Sequence, residues 1–100
     1  MATTTKVLAR TAAATTSTTL YTVPSATTTV VSNIVVTNTA GTAGTFTLSL
    51  NGVSLFTTTA IAANSTAMFD LKQVLATTQI IAGLASATTI NFHISGVEVS

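Results

Sequence analysis

The sequence predicts an all-β, single-domain antiparallel β-sandwich or jelly-roll-like barrel of about eight strands. Three observations carry this. Of 100 residues 25 are Thr, and Val and Ile recur among the apolar positions; β-branched side chains are stiff at χ1 and favour strands. Straight-chain polar helix formers are scarce, with one Glu, two Lys, one Arg and two Gln, too few for the charged face of an amphipathic helix. Several apolar runs alternate with polar residues at a period of two, the signature of half-buried strands.

The elements follow in order. Strands are expected at Lys6 to Arg10 and at Thr18 to Val23, the second ended by Pro24, which cannot donate to a ladder. Thr27 to Asn38 holds Val30, Val31, Ile34, Val35 and Val36. It is apolar on both parities, as in a strand covered on both sides. After the Gly41-Thr42-Ala43-Gly44 loop, Phe46, Leu48 and Leu50 alternate with Thr45, Thr47 and Ser49. Asn51-Gly52, the favoured pair for a type I′ turn, then leads into Val53-Ser54-Leu55-Phe56-Thr57, giving the clearest hairpin. Asn64-Ser65 signals a turn before a strand from Thr66 to Leu71. Leu71 to Thr77 is expected to form a short helical turn, and Gln79 to Leu84 another strand, closed by Ala85-Ser86. Finally Ile90, Phe92 and Ile94 alternate with Asn91, His93 and Ser95; past Gly96 the apolar parity shifts to Val97 and Val99, predicting a bulge or kink at the glycine.

Composition excludes several function classes. Only five residues are charged, namely Lys6, Arg10, Asp70, Lys72 and Glu98, for a net charge of +1. Three basic residues do not make a polyanion-binding surface, so nucleic acid is not an expected partner. The chain has no Cys, hence no disulfide or thiolate metal site. Its longest apolar runs are far from the roughly 20 residues of a spanning helix, so no membrane is expected. Thr11-Ala12-Ala13-Ala14-Thr15-Thr16 is too polar for a signal-peptide core, which points to a soluble protein that stays where it is translated or leaves with an assembly.

No catalytic constellation stands out, and the chain is not expected to be an enzyme or to hold a cofactor or metal. The one imidazole, His93, would have to recruit Asp70 or Glu98, and its parity places it toward solvent or a neighbour. Asp70 and Glu98 are the only acids available for paired-carboxylate chemistry. Asn64-Ser65-Thr66 matches a glycosylation triplet but reads as a plain turn without a secretion signal. Threonine faces that bind ice need a strict repeat, whereas the triplets at 3–5, 27–29 and 57–59 share no register. The shortage of charge is the informative surface feature. Soluble domains carry about 25% charged residues, and depletion of charge is a property of interface cores.

Thr16-Ser17-Thr18-Thr19-Leu20-Tyr21-Thr22-Val23-Pro24, continued by Thr29-Val30-Val31-Ser32-Asn33-Ile34-Val35-Val36-Thr37-Asn38, resembles a pattern in small tailed-bacteriophage virion proteins. Ile61-Ala62-Ala63-Asn64-Ser65-Thr66 and the segment from Ile90 to Val99 resemble the same group, capsid decoration (cement) proteins among them, although the hairpin at Asn51-Gly52 is shorter than in many relatives. The resemblance implies a structural virion protein on the capsid surface, assembled in the host cytoplasm. Its implied partners are the major capsid protein, whose neighbouring subunits it clamps, and itself, as a homotrimer. The other role open to such a protein is a small tail, baseplate or fibre component that binds host carbohydrate. The expected organisation is a flexible Thr/Ala-rich arm with a short strand over residues 1–17 and a β-sandwich over 18–100. Candidate capsid or subunit contacts are Lys6, Val7, Leu8, Arg10 and His93.

Overall fold

The computed structural model describes residues 2–100. Eight strands follow one another: β1 (Thr3–Ala12), β2 (Thr18–Thr22), β3 (Thr28–Asn38), β4 (Gly44–Leu50), β5 (Val53–Ile61), β6 (Thr66–Leu75), β7 (Ile80–Ala85) and β8 (Ile90–Val99). The first strand pairs with the last, the second with the seventh, the third with the sixth and the fourth with the fifth, all antiparallel. The chain is thus one long antiparallel ribbon with Asn51-Gly52 at its tip. Rolling the ribbon brings β8 against β3 and β7 against β4. The result is two four-stranded sheets, ordered β1-β8-β3-β6 and β2-β7-β4-β5, the connectivity of a jelly roll.

The tip is set by backbone chemistry. Asn51 and Gly52 both have positive φ, 48° and 81°, as a type I′ turn requires. Inward residues of both sheets fill the core: Val31, Ile34, Val36, Ile90, Phe92 and Ile94 face Phe46, Leu48, Ile61 and Ile81. Phe46 sits at the centre, with its ring centroid 5.7 Å from Phe56, 6.1 Å from Phe69 and 6.2 Å from Phe92. All four phenylalanines of the chain therefore meet in one cluster that ties the sheets together.

Two bulges explain where the apolar pattern departs from simple alternation. In β3 the register shifts between Val31 and Asn33, so Thr29 and Val31 point inward on odd positions and Ile34, Val36 and Asn38 on even ones. The double-parity apolar run comes from this shift. It does not mark a strand covered on both faces, because Val30 and Val35 lie half-exposed on the outer side. Ser32, the extra residue, donates its hydroxyl to the Ser95 carbonyl at 3.1 Å. In β1 the shift falls between Val7 and Ala9, which turns both Leu8 and Ala9 into the core.

Three further expectations are corrected. The bulge predicted at Gly96 lies instead in the two strands that flank β8, which itself keeps its parity: Ile90, Phe92, Ile94 and Gly96 face inward, and Val97 and Val99 outward. Gly96 is needed because a Cβ there would collide with the Val30 carbonyl oxygen and come within 2.9 Å of the Leu8 side chain. The helical turn expected at Leu71 to Thr77 is absent: β6 continues to Leu75, whose side chain is buried. Residues 3–12, expected in a separate arm, form a full-length edge strand along β8, and Leu8, Ala9 and Ala13 belong to the core. Burial of these three side chains is what draws the segment into the sandwich.

Candidate interaction surface

Strand order decides where the charges go. Lys6 and Arg10 lie on β1, Asp70 and Lys72 on β6, and Glu98 on β8, so all five belong to the β1-β8-β3-β6 sheet. The β2-β7-β4-β5 sheet and every connecting loop carry no Asp, Glu, Lys or Arg. The two outer faces consequently differ in kind. On the charged sheet, cross-strand rows run Arg10–His93–Val35–Met68, Val7–Ser95–Asn33–Asp70 and Thr5–Val97–Val30–Val74. On the other, Thr45 opposes Ala60, Thr47 opposes Leu84, and Ser49 lies between Ser54 and Ala82. That face offers hydroxyls and short apolar groups alone.

A polar network closes one end of the sandwich. The parity of β8 turns Glu98 inward, where the Tyr21 hydroxyl from the opposite sheet donates to its carboxylate at 2.5 Å. With the phenolic proton so used, the fully buried Thr29 hydroxyl donates to the Tyr21 oxygen at 2.8 Å. Lys6 reaches the same carboxylate at 3.3 Å from the neighbouring edge strand. The hydrogen bond from Tyr21 first, and then Lys6, hold the Glu98 carboxyl below its ordinary range against the opposing effect of partial burial. Burial, followed by the hydrogen bond to Glu98, pushes the Tyr21 phenol up. The group clamps the two sheets; Glu98 is occupied by it, and no buried side-chain polar atom among the described residues lacks a partner.

The five candidate contacts separate. Val7, Arg10 and His93 share the outer face of the charged sheet, with Arg10 directly opposite His93. Lys6 is exposed but engaged with Glu98. Leu8 is removed from the set, because the β1 bulge buries it to 6% exposure against Gly96. Sequence reasoning missed the Tyr21–Glu98 contact. Carrying the parity of Phe92 and Ile94 on to residue 98 would have found it. It also missed the outward row of β6, Met68, Asp70, Lys72 and Val74, because the strand was ended too early. Asn64-Ser65 forms the expected turn, with Asn64 at φ 52° and the Ser65 hydroxyl donating to the Ala63 carbonyl.

A groove of about 430 Å³ opens between β5 and β6, where Leu50, Val53, Leu55, Val74 and Leu75 supply apolar walls. Among the described residues no three His, Asp or Glu side chains converge in a metal-binding group, and no helix is long and apolar enough to cross a membrane. No family model matches the chain, and a search of curated proteins finds no relative, so the functional reading rests on the residues and faces described above.

Proposed function

We propose that this chain is a structural virion protein that decorates the outside of a phage head and clamps neighbouring major capsid subunits. The observation that supports this reading is the confinement of every charged side chain to one sheet. Removing an unpaired ion from water costs several kcal/mol. A face built from Thr, Ser, Ala and Leu can lie against a protein shell without that cost. Docking through the β2-β7-β4-β5 sheet leaves the charged sheet facing solvent, where it keeps the decorated particle soluble. Many weak contacts repeated by the symmetry of the shell then add up to firm attachment.

The test is to incubate the purified chain with undecorated heads of the parent phage and image the washed particles. Density on the outer head surface, lost when Ser49→Lys and Ser54→Lys charge the uncharged face, is the expected result. Density confined to the tail, or heads that stay bare, overturns the proposal.

A further inference from the structure

We propose that the chain dimerises through β6, pairing antiparallel with β6 of a second copy about a two-fold axis at Leu71. The strand has one partner, β3, and forms the outer edge of the charged sheet, so its other side presents unpaired backbone groups. Met68, Asp70, Lys72 and Val74 form its exposed outward row, whereas Ala67, Phe69, Leu71 and Leu75 turn toward the core; Gln73, on the inward parity, stays exposed where the β3–β6 register shifts.

Read along the strand, the outward row is apolar, acid, base, apolar. Laid against itself in the opposite direction about Leu71, it is complementary at every position. Met68 meets the partner's Val74, and Asp70 meets the partner's Lys72. The symmetry repeats both pairs, as an isologous contact requires. Moving the axis to residue 70 opposes Asp70 to itself, and moving it to residue 72 opposes Lys72 to itself; like charges directly across strands repel. An axis between two residues sets outward against inward side chains, which the pleat forbids. An axis at Phe69 sets Asp70 against Met68, and one at Gln73 sets Lys72 against Val74, so only the axis at Leu71 pairs both charges.

The same side chains have no other use in the fold. Met68 is 77% exposed and Val74 65%, two of the four exposed large apolar residues. The only ion pair among the described residues is Lys6–Glu98, so Asp70 and Lys72 are unpaired within the chain. Edge charges can also guard a strand against pairing, but a guard needs only one sign. Here opposite signs stand two residues apart, centred between two apolar residues.

The pairing joins the charged sheets into one eight-stranded sheet from Ala67 to Leu75 of each copy. Its axis stands perpendicular to that sheet, so the uncharged faces of both copies look the same way. The dimer does not depend on the capsid reading, and it differs from the trimer that the family resemblance implies.

Light scattering after size-exclusion chromatography tests it on the intact chain. The expected mass is about 20 kDa, twice the 10.1 kDa of one chain. Asp70→Lys and Lys72→Asp each convert both charge pairs into repulsions and should weaken association by at least about tenfold. Mixing these two single variants should restore a dimer, as should the double variant alone. Both positions are exposed, so circular dichroism and melting serve as the control for folding. A monomer at every concentration, a trimer, or a dimer indifferent to these charges overturns the proposal.

Discussion

The Tyr21 hydroxyl donates a hydrogen bond to the Glu98 carboxylate across 77 residues of sequence, at 2.5 Å, joining the second strand to the last. The bond links stability to pH at both ends of the scale. Glu98 is held below its ordinary 4.5 because the fold favours the ionised form. Its contribution is complete above about pH 4.5 and is lost as pH falls through the lower, folded value. Tyr21 is raised above 10.0, so its contribution is complete below pH 10.0 and is lost as pH rises through the higher value. Calorimetric melting should show a plateau between these limits. Glu98→Gln should flatten the acid limb, and Tyr21→Phe should remove the alkaline one. An acid limb unchanged in Glu98→Gln would falsify the linkage.

Phe46 touches the other three phenylalanines and is 1% exposed. Replacing it by Ala leaves a cavity between sheets that are held in place by their own ladders. The expected loss is about 3–5 kcal/mol in urea unfolding, a large share of the stability of a domain this small. A loss near that of a surface substitution would show that the cluster does not hold the sheets together.

Gly96→Ala tests the paired bulges. The added methyl group meets the Val30 carbonyl on one side and the Leu8 side chain on the other. Backbone cannot yield as a flexible side chain does, so the substitution should cost about 1–3 kcal/mol by overpacking. Ser95→Ala, next to it on the outer parity of β8, should change stability by less than about 0.5 kcal/mol. Equal effects at the two positions would refute the steric account.

Thr78 offers the opposite sign. It is exposed in the β6–β7 loop with φ at 71°, a left-handed conformation that β-branched residues rarely adopt. Its amide donates to the Val23 carbonyl at 3.1 Å and is kept by any residue but proline. Thr78→Gly or Thr78→Asn should relieve about 1 kcal/mol of strain and raise the melting temperature by several degrees. A lower melting temperature in both would mean that the Thr78 side chain stabilises the loop.

Local sequence determined a good deal by itself. Scarcity of helix formers, the β-branched bias and the Asn51-Gly52 tip sufficed for the fold class and the central hairpin, because turn chemistry and period-two alternation act over a few residues. The inward positions of β4 and the first half of β8 follow from the same alternation. Tertiary structure alone decided the rest. The bulges at Leu8 and Ser32 arise where neighbouring strands must accommodate Gly96, so the inward turn of Leu8 depends on residues distant in sequence, whereas Glu98 continues the local parity of β8. Edge positions, too, are set by the rolling of the whole ribbon, which is why the strand from Thr66 is legible in the sequence but its continuation to Leu75 and its place at the sheet edge are not. The shortage of charge was plain in the composition, but its confinement to one sheet was not. That placement depends on which distant strands share a ladder, and only closure of the jelly roll brings β1, β6 and β8 into one sheet.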